Sequence, residues 1–175
     1  MRRLLPLILL AAAPAVAARA DDCAAPLAAA VQLGTLPYRM HLVTTSGTDA
    51  LRGGKPEEGD LIATADKTYV ELDGTWHASE READSGDDMK AAIAEGKVTC
   101  SYLRDETVDG EATAVYHVLD AMDEESPQDE TLWVSKATGL LVRLDSAVDV
   151  GGDAGKSTTT ATFDYKDVKA PADAQ

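Results

Sequence analysis

Two Asp-Gly pairs, Asp73-Gly74 and Asp109-Gly110, each lie between runs in which apolar and polar residues alternate. Asp-Gly in that setting is a strong signal for a two-residue hairpin turn, whose central residues must both accept positive φ. Each pair therefore sets two strands antiparallel. The rest of the chain has the same pattern. In 37–47, Tyr38, Met40 and Leu42 alternate with Arg39, His41 and Val43. Residues 60–79 read as three strands, broken near 65–67 and at Asp73-Gly74. Residues 97–108 and 111–122 form the second Asp-Gly hairpin. Residues 130–136 turn at Ala137-Thr138-Gly139 into 140–150, and 156–168 is the last strand.

Two short helices interrupt the strands. The first spans 22–33, with Asp22 as its cap, Pro26 tolerated in the first turn and Gly34 as its stop. The second spans 88–96, with Met89, Ala92 and Ile93 on one stripe and Gly96 as its stop. About nine strands with hairpin connections exclude a βαβ fold. The expected class is mainly β (α+β): a single curved antiparallel sheet, or half-open β-barrel, with the two helices against its concave face.

The N-terminus opens with "MRR", continues with the apolar "LLPLILLAAAPAVA" and ends in "ARA" at 18–20. This is the pattern of a secretory signal peptide cut after Ala20. The run is too short and too rich in alanine for a good spanning helix, and the sequence contains no second apolar run. Asp21 and Asp22 precede Cys23, which argues against lipid attachment there. Residues 21–175 then form one domain with a loose tail at 169–175, and the expected location is the periplasm. The signal segment carries three of the 16 cations and none of the 31 acids, so the mature charge is −18. Such a chain repels nucleic acid and anionic lipid surfaces. The acidic stretches 105–111 and 120–130 lack the spacing of a calcium loop.

Cys23 and Cys100 are the only cysteines. An even count in an oxidising compartment favours a disulfide between them, the alternative being two buried thiols.

Residues 148–158, "VDVGGDAGKST", imitate a phosphate-binding loop. Val150 stands where the leading glycine belongs, Asp153 puts a negative charge in the cradle, and residues 156–168 read as a strand. A phosphate loop needs a helix N-terminus there. A hairpin connection is expected, and no nucleotide. His41, His77 and His117 sit in different hairpins without ligand spacing, so no metal and no cofactor are expected. No nucleophile motif is present, and no catalytic residue is assigned. The aromatic residues along the strands either fill the sheet's buried face or line an apolar cavity. With the helix stripe, the candidate lining is Tyr69, Trp76, Met89, Ile93, Tyr102, Tyr116 and Trp133.

Four stretches carry a family resemblance. They are the Gly-Lys-Pro start and Gly-x-Trp end of 54–79, the Cys, acidic turn and Val-Tyr of 99–118, the Trp strand and Lys-Ala-Thr-Gly turn of 132–145, and the Gly-rich turn and Asp-Tyr strand of 149–171. In that order the chain resembles a group of uncharacterised exported bacterial proteins with a fold like the periplasmic lipoprotein carriers (LolA-like). The resemblance implies an incomplete antiparallel barrel with helices over an open apolar side, where relatives hold acyl chains or lipoproteins. The chain departs from it in having less lid helix, and in having Leu140-Leu141 where relatives often have Leu-Pro. The implied function is a non-enzymatic periplasmic protein that binds or carries an apolar or lipid-like ligand. The alternative is a periplasmic interaction module with a self-filled core and a protein partner.

Overall fold

In the computed structural model, residues 20–46, 54–81, 86–123, 126–149, 155–172 and 174 are described. The segment read as a signal peptide lies outside them up to residue 19, as do residues 150–154 of the Gly-rich connection.

The nine strands are β1 (Tyr38–Ser46), β2 (Glu57–Ala63), β3 (Lys67–Leu72), β4 (Thr75–Glu80), β5 (Val98–Val108), β6 (Glu111–Asp120), β7 (Gln128–Ser135), β8 (Leu141–Asp149) and β9 (Lys156–Asp164). They form one antiparallel sheet in the order β4-β3-β2-β1-β9-β8-β7-β6-β5. The sheet is open, with β4 and β5 at its edges. Two meanders, β1–β4 and β5–β9, are joined where β1 pairs with β9. Threonines face each other across that seam: the Thr44 and Thr159 hydroxyls lie 3.0 Å apart, and those of Thr45 and Thr158 2.5 Å apart.

Both Asp-Gly turns form as the sequence predicts. Asp73 and Gly74 have φ of 52° and 77°, and Asp109 and Gly110 have 49° and 85°. These are the paired positive values of a turn that matches strand twist. The sequence "GKST" also falls as expected. Lys156 begins β9 opposite Asp149 of β8, so a strand succeeds Gly155 where a phosphate loop would place a helix.

Helix α1 (Ala24–Thr35) comes after a 3-10 turn at Ala20–Cys23, and helix α2 covers Asp87–Ala94. Two expectations for α1 are corrected. Asp22 does not cap it: Cys23 holds the cap position and no side-chain cap bond forms. Gly34 does not stop it either. The helix runs on to Thr35 and ends at Leu36, which is extended (φ −88°, ψ 145°). Pro37 accounts for this, since the residue before proline is driven out of helical geometry. α2 has Asp87 and Asp88 in its first turn, where they favour the positive helix end. Eight residues are too few for a helix to stand alone in water, so α2 depends on its packing.

Residues paired across a ladder share a face. One face carries Val98, Cys100, Val118, Leu132, Val134, Leu141 and Ala161, and α1 and α2 lie over its β5–β8 part. Cys23, Ala29 and Ala92 complete the core from the helix side. A single antiparallel sheet with two helices on one face is the expected class, and the sheet is open, ending at β4 and β5 without closing. The Tyr165 hydroxyl donates to the Leu141 carbonyl at 2.9 Å and ties the stretch after β9 back to the sheet.

Cys23 and Cys100 form a disulfide, with Cα atoms 5.0 Å apart, that ties the start of α1 to β5. The loop it closes, 77 residues in sequence separation, is long. In the chain-entropy account such a bond contributes about 4 kcal/mol. Replacing both cysteines by serine is therefore expected to lower the unfolding free energy by ~4 kcal/mol, read as the shift of a urea transition at unchanged slope. A loss under about 1 kcal/mol would mean that the closed loop does not constrain the unfolded chain as this account requires.

Candidate functional site

The site is built by how α1 and α2 are held over the sheet. The disulfide fixes the start of α1. Arg81, just after β4, fixes its end. Arg81 Nη2 donates to the carbonyls of Leu33 and Leu36, the latter at 3.0 Å, and Nη1 donates to the Thr64 carbonyl at 2.5 Å. A cation on carbonyls left open at a helix C-terminus is favourable for both hydrogen bonding and dipole reasons. The same guanidinium sits 5.5 Å from the Tyr38 ring centroid. Burial raises the Tyr38 phenol pKa, and Arg81 partly opposes the shift.

α2 is placed by close contact with α1. Gly86, at its N-cap, has φ 69°, and a Cβ built there would lie 2.5 Å from Val31 Cγ2. Only glycine allows this approach without a shift. Ala92 then buries against the sheet, with Met89 and Ile93 packed beside it.

Between the two helices and β5–β8 lies a cavity of about 110 Å³. Pro26, Leu27, Ala30 and Leu33 line it from α1, and Met89 and Ile93 from α2. Val98, Cys100, Val118, Leu132, Leu141 and Leu144 line it from the sheet. Glu130 of β7 is the one charged residue in the lining. Its carboxyl pKa is raised by burial, and the Asp120 carboxylate adds to the shift. The volume decides what fits. Sites for whole small molecules usually enclose ~300–1,000 Å³, whereas an apolar cavity of ~150 Å³ holds one benzene. As it stands, the space suits a small apolar group or the end of a chain. Two wider grooves are more polar. One, of about 390 Å³, is bordered by Asp109, Glu111 and Asp164 beside Phe163 and Tyr165. The other, of about 550 Å³, is bordered by His41, Glu57, Glu58, Asp60, Glu71 and Asp73.

The residues expected to line one cavity do not all meet. Met89 and Ile93 line it. Tyr102 and Tyr116 lie on the same face of the sheet as an edge-to-face pair, 5.8 Å between centroids, and Tyr116 packs against the core without entering the lining. Tyr69, Trp76 and Trp133 lie on the opposite face. Trp133 pairs with Arg143, one residue out of phase with Leu132, and Tyr69 pairs with Ile62, one out of phase with Leu61. A single step along a strand reverses the face. There Trp133 is covered by the Arg143 guanidinium, 4.8 Å from its ring centroid. Arg143 is in turn held by Asp145 through two bonds of 2.8 and 2.6 Å. It is thus part of a packed aromatic-cation-carboxylate stack.

The histidines remain apart. His41 lies 3.0 Å from Asp60 and His117 lies 3.0 Å from Asp129, while His77 is exposed on β4. Among the described residues no group of three or more potential ligands gathers for a metal ion. Nor is any helix among them long and apolar enough to cross a membrane.

No family model matches the chain, and no curated protein matches it. Solved structures similar to it include LprF from Mycobacterium bovis, at 14% identity and a TM-score of 0.46, covering 90% of this chain and 99% of that one. MucB in complex with MucA(peri) is similar at 14% identity and a TM-score of 0.48, covering 88% of this chain and 57% of that one. A LolA superfamily protein from Nitrosomonas europaea is similar at 9% identity and a TM-score of 0.22, covering 79% of this chain and 89% of that one. The chain itself is one open antiparallel sheet of nine strands with two helices on one face.

The contact between α1 and Gly86 makes a testable demand. Gly86→Ala is expected to cost about 1–3 kcal/mol, because a methyl group is forced onto Val31 in a packed site. Gly54 is the control. It has a similar φ of 74°, but nothing lies within 4 Å of its built Cβ, so Gly54→Ala reports the backbone term alone. Urea unfolding of the two variants should place Gly86→Ala clearly below Gly54→Ala. Equal losses would show that the helix contact adds nothing.

Proposed function

We propose that this is an exported, periplasmic, non-enzymatic protein that holds an apolar or lipid-like ligand between α1, α2 and the sheet. One observation carries the reading: the cavity of about 110 Å³ is lined almost wholly by aliphatic side chains, Met89 and the disulfide. Each methylene moved from water into such a place gains about 0.8 kcal/mol. The end of an alkyl chain therefore has a favourable place there. A longer segment needs more room, and α2 is the element able to give it. α1 is tied covalently at one end and by Arg81 at the other, while α2 packs on the sheet through Met89, Ala92 and Ile93. The location accords with the disulfide, a bond typical of oxidising compartments. Export through a signal peptide cut after Ala20 belongs to the same reading.

The interaction-module reading has one observation in its favour. β5 is an open edge of 11 residues, and Tyr102 and Leu103 on it are 43% and 47% exposed. Open edges are where a partner's strand can add.

The two readings separate on extraction. Protein purified gently from its native compartment is expected to release an apolar molecule into organic solvent, detected by mass spectrometry. Ile93→Trp, which fills the cavity, is expected to lower the amount. No extractable molecule, together with no uptake of the neutral probe N-phenyl-1-naphthylamine, would leave the interaction module as the better account.

A further inference from the structure

The cavity is apolar except at one point, and that point carries a charge. Glu130 projects from β7 on the helix-covered face, in register with Val118 of β6 on one side and Ser146 of β8 on the other. It is half-buried. Among the described residues no hydrogen bond or ion pair reaches its carboxylate, whereas Asp60 is paired with His41 and Asp145 with Arg143. The remaining lining residues offer no cation. The charge that acts on it is a like one, Asp120, whose Oδ1 already accepts from the Met122 amide at 2.9 Å. A carboxylate drawn out of water without a partner is unfavourable, and a cation brought to it removes that penalty.

Resting on the apolar-ligand reading above, we propose that Glu130 is the polar anchor of the cavity, and that the protein prefers amphiphiles with a cationic amine head over those with a carboxylate head. The alkyl end enters among Leu27, Ile93, Leu132 and Leu144, and the ammonium meets Glu130 at the wall. A fatty acid of the same length would bring a second negative charge to a carboxylate that already feels Asp120. The raised Glu130 pKa is the same effect seen from the proton's side: the site favours added positive charge.

The test uses three probes with one tail: octylamine, octanol and octanoate, titrated calorimetrically into the mature protein at pH 7. Octylamine is expected to bind at least about tenfold more tightly than octanoate, the factor given by one hydrogen bond to a charged group, with octanol between them. Glu130→Gln keeps the shape, so it is expected to erase the order while leaving octanol unchanged. Glu58→Gln, on an exposed residue of β2, controls for attraction to the acidic surface and should keep the order. Equal or tighter binding of octanoate, or an order that survives Glu130→Gln, would overturn the anchor while leaving the apolar cavity in place. If none of the three binds, the cavity reading itself fails, and the anchor fails with it.

Discussion

The arrangement depends on how α1 is held. The apolar face over β5–β8 needs a cover, and the described chain offers two helices, of 12 and eight residues. The Cys23–Cys100 bond holds α1 to β5, and Arg81 holds its last carbonyls to the β2–β3 turn through Thr64. With both ends of α1 set, α2 can seat Gly86 on Val31 and place Met89 and Ile93 over the strands. If α1 were released, α2 would lose its neighbour, and eight residues cannot keep helical form unaided.

The cavity is a consequence of this economy. Two helices over β5–β8 leave a gap, since Ala29, Ala30 and Ala92 bring the elements close without filling the space between them. Protein interiors are otherwise packed as densely as organic crystals, so an aliphatic gap of about 110 Å³ is a specific feature of the core. Its wall joins Cys100 of the disulfide to Met89 and Ile93 of α2.

Much of this was legible in the sequence. Local chemistry specified the strands, because Asp73-Gly74 and Asp109-Gly110 admit few conformations and alternation fixes the sheet period. The disulfide was readable from the cysteine count and the compartment expected of the N-terminal pattern. Contributions from distant elements were not legible. Asp22 looked like a cap and Gly34 like a stop, yet tertiary context and Pro37 set both ends of α1. Arg81 gave no local sign, since its partners Leu33, Leu36 and Thr64 lie 48, 45 and 17 residues away. The aromatic residues were harder still. The parity of each strand was readable, but which parity faces the helices depends on the pairing of β1 with β9 and on the irregularities in β5 and at the β7–β8 pairing. Tyr69, Trp76 and Trp133 therefore fell on the far face. Glu130 stood at the end of the acidic stretch 120–130, and nothing local marked it as the one facing inward.

The central claim is that the space between α1, α2 and β5–β8 accepts an apolar guest. The most direct measurement is a methyl NMR titration of the mature, oxidised protein with benzene. The account predicts shifts concentrated on the methyl groups of Leu27, Met89, Ile93, Val118, Leu132 and Leu144, which line the cavity, with exposed Leu72 of β3 unaffected. Shifts absent from those six, or spread evenly over exposed Leu72, Leu103 and Leu119, would contradict it.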